Sequence, residues 1–270
     1  MPIVVRDLVP AFLDFWAQAA DATTSQQQAL WRAYTADHPE VVNDLVRIGA
    51  DTVGSMPAPA TYAALLPRII TNAPVALDWL EGAAAEVTQV LDRTELSITC
   101  VSMVGLAGSN GWVTVFDGSP TVFLAVEQIP GPDAGRILAA HEIAHACQWP
   151  EDGPIGRRTF AEGFATQLTA ELMPQHPLAK HLWFDDGYEG WLADCQQALP
   201  RARHEIAAAA ARDDHAATAR YFMGGGGSDL PDRIGYLVGV RMIQELRRTC
   251  SWPELARWTP EQAIAHTAGT

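Results

Sequence analysis

A chain of 270 residues with 48% hydrophobic content is long enough for one large domain or two small ones, and it can bury a sizeable core without covalent staples. The formal net charge of −14 and a pI near 4.8 disfavour nucleic acid and anionic membrane surfaces as partners. Cys100, Cys147, Cys195 and Cys250 are scattered with no CxxC pair, which fits reduced, mostly buried thiols better than a disulfide framework. No cationic leader with an apolar run and no membrane-spanning stretch is visible, so the expectation is a soluble cytoplasmic protein. Lys180 is the single lysine; every other basic residue of this kind is arginine, which reads as a coding bias.

Residues 1–94 read as a mainly helical region. Met1 to Arg6 suits a short strand. From Asp7 to Ala20 the apolar residues Leu8, Phe12, Phe15, Trp16 and Ala19 recur at helical spacing. Thr23-Thr24-Ser25 is a capping cluster for a second helix that carries Leu30, Trp31 and Tyr34 on one side. Pro39 starts a third helix, with Val41, Val42, Leu45, Val46 and Ile48, stopped by Gly49. Gly54 to Pro59 reads as a connection. Two helical runs follow, near Ala60 to Leu66 and from Pro74 to Asp92. All of this is scaffold; no chemistry is visible on its face.

Residues 95–270 have a different texture. Leu96 to Val104 alternates and is β-branched, Asn110-Gly111 is a hairpin-turn signal, Trp112 to Phe116 is the next strand, and Asp117-Gly118 begins another turn. Thr121 to Ile129 gives a third strand, so an antiparallel meander is expected. Pro130-Gly131-Pro132 breaks the sheet, and Asp133 is a candidate N-cap for the helix that follows.

That helix holds Ala139-Ala140-His141-Glu142-Ile143-Ala144-His145-Ala146-Cys147, and within it His-Glu-x-x-His. Two histidines four residues apart share one helix face, so both imidazoles can reach a single tetrahedral ion, and the geometry suits zinc. Glu142 can face a water at the open fourth position and act as its general base. The flanking residues are apolar, and polar groups in such a setting are costly unless paired or ligated. A third protein ligand is needed. Glu162, seventeen residues after His145, follows a Pro/Gly-rich loop at 150–156 and opens a second helical run through Leu172. An antiparallel return would bring Glu162 to the histidines, with Gly163 letting the two helices approach closely. A solvated helix-start carboxylate is the other reading of Glu162, and Glu171 is a weaker ligand candidate.

Beyond Met173-Pro174, residues 176–190 hold His181, Trp183, Phe184, Asp185, Asp186 and Tyr188, either lining a pocket or packing as a connection. Glu189 to Ala211 is helical, and His204 and His215 suit an exposed helix surface. Gly224-Gly225-Gly226-Gly227 lacks the Lys-Ser/Thr of a phosphate loop and reads as a linker or a mobile lid. The last long helix starts near Pro231, with Gly235 and Gly239 four apart, which permits close packing. Thr259-Pro260-Glu261 is a cap for a short terminal helix.

His141-Glu142-x-x-His145 followed by Glu162 resembles the Glu-zincin arrangement of thermolysin-like metallopeptidases. Ala161-Glu162-Gly163-Phe164-Ala165 and Arg233-Ile234-Gly235-Tyr236-Leu237-Val238-Gly239 resemble, more closely, the YjaZ-like predicted zinc-dependent proteases, over roughly residues 95–250. The resemblance implies one zinc ion, a hydrolytic water, a peptide substrate and an edge strand beside the cleft. Thr121 to Glu127 is the candidate for that strand, the alternative being a strand covered by its neighbours. It also implies that Tyr236 lies near the zinc and can donate to the oxyanion, with Arg233 serving the same end or holding a substrate carboxylate. One position departs: the acid that thermolysin-like enzymes carry one turn after the ligand glutamate is Thr166 here, so another group must orient the zinc histidine.

The expectation is therefore an α+β, zincin-like fold with an antiparallel sheet on the His-Glu-x-x-His helix. The expected function is a zinc metallopeptidase with His141, His145 and Glu162 as ligands and Glu142 and Tyr236 as catalytic groups. The alternative is a zinc-containing protein-binding module without turnover. Glu142 weighs against that alternative, since zinc binding alone has no use for the carboxylate.

Overall fold

The computed structural model describes residues 3–41, 59–105, 109–148, 153–224 and 229–269. The helix expected from Pro39 onwards falls outside these beyond Val41, as do most of the 54–59 connection and Gly225 to Gly227.

The architecture is α+β and mainly helical, with one four-stranded sheet among the described residues. Strand β1 (Val4–Asp7) is followed by α1 (Val9–Ala19) and α2 (Thr24–Asp37). The Thr23 cluster caps α2 as expected, through a reciprocal capping box with Gln26. The two helical runs expected between 60 and 92 are a single helix, α3 (Pro59–Val90), which passes through Pro67 and Pro74. Both prolines face water, and so do Ala63 and Ile70, whose carbonyls lose their partners four residues on. The opposite face, with Ile69, Ala76, Leu80, Ala84 and Val87, is fully buried, and that packing carries the helix across both prolines.

The sheet runs β1-β2-β4-β3, with β2 (Thr99–Met103), β3 (Gly111–Phe116) and β4 (Ser119–Ala125). It is mixed, which corrects the expected antiparallel meander. β1 pairs parallel to β2 and β2 parallel to β4; only β3 and β4 are antiparallel. The hairpin turn is Asp117-Gly118, where both residues have positive φ (50° and 76°), as a two-residue turn matching strand twist requires. Asn110-Gly111 is no hairpin turn: Gly111 already pairs with Leu124, and the Asn110 carbonyl accepts from the Ala125 N–H at 2.9 Å. β4 is an inner strand and ends at Ala125, so Thr121 to Glu127 is not a substrate edge. The terminal strand on that side is β3.

A 3₁₀ turn (Val126–Gln128) leads into α4 (Pro132–Gln148), which carries the two histidines. Asp133 lies inside the first turn of α4 and does not cap it. The entry to α4 is fixed from α3: Asn72, buried, donates to the carbonyls of Val126 and Ile129, each at 2.8 Å, and Arg68 donates to the Glu127 carbonyl. Gly135 lies where a Cβ would meet the Trp79 ring at 2.3 Å, so the Trp79 side chain of α3 packs directly on the α4 backbone.

α5 (Ile155–Leu172) runs next to α4, beginning seven residues before Glu162. Then come α6 (Leu178–Trp183), α7 (Glu189–Ala209), α8 (His215–Phe222) and α9 (Ile234–Leu246). Two short helices finish the chain, α10 (Trp252–Leu255) and α11 (Pro260–Ala268), the latter capped by Thr259 as expected. Gly163 makes a close approach, though to α9 instead of α4: a Cβ there would lie 2.1 Å from the Gly239 carbonyl carbon. Two apolar clusters result. The larger covers the sheet, α3, α4 and much of α5; the smaller lies among α7, α8 and α9. Among the described residues, no helix is long and apolar enough to cross a membrane.

Candidate metal centre

α4 is buried nearly all round, as the run of Ala and Ile about its histidines predicts. His141 is 3% exposed and Glu142 7%, so neither is a surface polar group. α5 brings Glu162 across from the neighbouring helix. The His141 and His145 Nε2 atoms are 3.0 Å apart, and the Glu162 Oε2 lies 3.2 Å from the first and 3.4 Å from the second. A tetrahedral zinc ion with bonds of about 2.0–2.1 Å has ligand–ligand edges of about 3.3 Å, so this triangle has the size of one face of such a site. Among the described residues, His141, His145 and Glu162 are the group of three whose ligand atoms could hold a metal ion.

The electrostatics suit a cation. Burial lowers the His141 pKa to about 4, against an opposing hydrogen bond with Glu162, and this keeps the imidazole neutral. Burial would raise Glu162, but the charge of His145 and hydrogen bonds from both imidazoles outweigh it and hold the carboxyl well below its usual value. With both imidazoles neutral, as metal ligation requires, the two histidines and the carboxylate would form a donor set of net charge −1. That N₂O set suits zinc and, equally, a metal such as iron(II).

The three ligands line a cleft of about 690 Å³ at the seam between the two apolar clusters. Strand β3 lines it through Gly111 to Thr114, and Phe222, Met223, Arg233 and Tyr236 line it as well. Glu142 lines the cleft against Gly111, where a Cβ would meet the Glu142 Cγ at 3.0 Å and its Oε1 at 3.1 Å. The glycine that signalled a turn in the sequence instead makes room for this carboxylate.

Tyr236 also lines the cleft, and burial, with the nearby Glu162 carboxylate, pushes its phenol pKa up, so the hydroxyl keeps its proton. Arg233 precedes α9 in the left-handed region (φ 60°), a conformation that non-glycine residues seldom adopt. Its guanidinium lies 4.4 Å from the centre of the Trp183 ring and 4.5 Å from that of Tyr236, and donates to the Leu182 carbonyl at 3.1 Å.

No family model, curated protein or solved structure matches the chain.

Several expectations need correction at this site. Glu171 is not a ligand: it accepts from Trp252 Nε1 at 2.9 Å and pairs with Arg247. His141 Nδ1 and Thr166 Oγ1 are both buried with no hydrogen-bond partner among the described residues. The His141 ring is instead held by packing, edge-on to Phe184 with centroids 5.1 Å apart. Residues 176–190 are mostly a packed connection, with Trp183 stacked on Tyr188 and His181 buried, but Phe184 does reach the cleft. His204 and His215 are exposed, as expected. Arg157 and Arg158 line the cleft and were not expected there. Arg158 had one sequence signal, its position four residues before Glu162 on the same face of α5.

Proposed function

We propose that the protein is a zinc metallopeptidase of zincin-like fold, with His141, His145 and Glu162 holding the ion and Glu142 as general base. The observation that carries this reading is the convergence of three ligand atoms in a zinc-sized triangle, with a second carboxylate, the buried Glu142, in the same cleft. The resemblance of these residues to the Glu-zincin pattern, and of the segments about Glu162 and Tyr236 to the YjaZ-like proteases, points to the same class. When bound, zinc supplies Lewis acidity that polarises a carbonyl and lowers the pKa of water at its open position.

The chain's own residues do the rest. Glu142 takes a proton from the attacking water and passes it to the leaving nitrogen. Gly111 keeps the Glu142 carboxylate facing the cleft. Tyr236, protonated, donates a hydrogen bond to the scissile carbonyl oxygen as charge builds there. Strand β3, at the end of the sheet and along the cleft wall, offers backbone groups to an extended peptide.

The test is metal content by mass spectrometry, followed by a peptide-library cleavage screen. We expect about one zinc per chain, lost in His141→Ala, and cleavage that falls about 10²–10⁴-fold in Glu142→Gln while zinc is retained. A folded, chelator-free preparation without metal would remove the reading. Zinc with no cleavage of any peptide would leave a protein-binding zinc module.

A further inference from the structure

Thr166 is fully buried, yet its hydroxyl has no hydrogen-bond partner among the described residues. Thr35, Thr88, Thr159 and Thr267, also buried in helices, turn the hydroxyl back on the carbonyl four residues earlier, at 2.6–2.9 Å. Thr166 does not, so its oxygen is not spent on its own helix.

His141 shares this condition at one atom. Its Nε2 faces His145 and Glu162, while its Nδ1 is buried with no hydrogen-bond partner among the described residues. An imidazole that offers its Nε2 lone pair to a metal carries its proton on Nδ1, and a buried N–H is costly without an acceptor.

The fold brings the two atoms into one neighbourhood. Glu162, Thr166 and Thr169 recur at helical spacing and share one face of α5. The outer two have partners on different helices. Glu162 Oε2 is 3.2 Å from His141 Nε2 on α4, and Thr169 Oγ1 is 3.0 Å from His181 Nδ1 on α6. α6 spans the same interval from its own side, because Phe184 at its end lies edge-on to the His141 ring, with centroids 5.1 Å apart. Thr166 is thereby enclosed where α4, α5 and α6 meet, between the group that touches His141 and the group that touches His181.

We propose that one buried water joins His141 Nδ1 to Thr166 Oγ1, and that through it Thr166 is the positioning residue of the metal ligand His141. The water accepts from Nδ1–H and shares a second hydrogen bond with the hydroxyl, so two buried polar groups that do not bond each other are both satisfied. The ring is then fixed in the tautomer that leaves Nε2 open to the ion. The positioning role rests on the metal-binding part of the reading above; the water site does not.

Two measurements test this. The first is a high-resolution crystal structure of the full-length protein, with and without zinc. One water at about 2.7–3.2 Å from both atoms is expected. A structure in which no water touches both atoms overturns the site. The second is zinc affinity, by competition with a chromophoric chelator, in wild type, Thr166→Val and Thr166→Ser. Valine keeps the shape and removes the hydroxyl, so zinc should bind about 10–100-fold more weakly. Serine restores the hydroxyl and should return the affinity to within about 3-fold of wild type. Wild-type affinity in Thr166→Val overturns the positioning role. So does an equal loss in both variants, which would assign the effect to side-chain packing. Should Thr166→Val not fold, Thr166→Ala takes its place in the series. A wild type that holds no zinc removes the metal reading and the positioning role together, while the crystal structure still decides the water.

Discussion

Gly111 and Glu142 explain one another. The backbone at position 111 comes so near that any side chain there would press on the Glu142 carboxylate, so the base position in α4 depends on a glycine in β3. We expect Gly111→Ala to keep its zinc and lose about 10-fold in kcat/KM, because a few tenths of an ångström at a general base are costly. A zinc-loaded Gly111→Ala protein with unchanged activity would show that Glu142 has no positional demand. Tyr236 gives a second residue-scale prediction. Tyr236→Phe should lower kcat by about 10²-fold with little change in KM, since the hydrogen bond is made chiefly to the developing oxyanion. Steady-state kinetics separates this from a packing role, which would move stability and leave kcat alone. Glu162→Ala should release zinc on gel filtration. Retention of full zinc there would exclude Glu162 from the ligand set. The histidine pair and Glu142 were legible because helix geometry alone puts residues i and i+4 on one face. The packing of Phe184 on His141 and the reach of Arg158 into the cleft depend on contacts between helices distant in sequence.

At the scale of elements, the helices were more legible than the sheet. Apolar periodicity is a local property, and it placed α1, α2 and α4 closely. Strand pairing is not local. Three strands in a row suggested a meander, yet β2 and β4 pair in parallel while β3 takes the outer place. Two helical runs, near Ala60 to Leu66 and from Pro74 to Asp92, are expected where one helix runs through Pro67 and Pro74. Both prolines stand on the water-facing side of α3, where the orphaned carbonyls are solvated and the buried face holds the helix together. The contact between α5 and α9 sets Glu162 and Tyr236 against each other. It depends on two glycines: a Cβ on Gly239 would lie 2.1 Å from the Thr159 carbonyl oxygen and 2.8 Å from the Gly163 Cα. These are backbone atoms, so the helices would have to separate. Gly239→Ala should cost about 3 kcal/mol, seen as a fall of about 6–10 °C in Tm, and should weaken zinc retention through Glu162. A variant with wild-type Tm would mean that α9 can shift freely.

For the whole molecule, the consequence of burying histidines is a stability that depends on pH. His181 is fully buried, with Thr169 Oγ1 at 3.0 Å from Nδ1 and the Met173 carbonyl at 3.3 Å from Nε2. Burial lowers its pKa to about 4, and the nearby His176 and His141 add to the shift. Between pH 6.5 and 4 the unfolded chain binds a proton at this position that the folded chain does not. Stability therefore falls as pH drops through that window, by about 1.4 kcal/mol per unit at most and about 3 kcal/mol in all. Urea unfolding at pH 7 and pH 4 should show a larger loss in wild type than in His181→Gln, the comparison cancelling groups common to both. Equal losses would mean that His181 takes a proton in the folded state.

The sequence by itself determined the chemistry on offer: two histidines and a carboxylate on one helix, a candidate third ligand, an α+β composition and an acidic net charge. Those follow from residue identity and from the fixed geometry of a single helix. Tertiary structure alone decided that Glu162 meets both imidazoles, that β3 instead of β4 borders the cleft, and that arginines collect there in an acidic protein. Each is a juxtaposition of segments tens of residues apart, set by how two apolar clusters close on each other, and no local pattern in the chain encodes it.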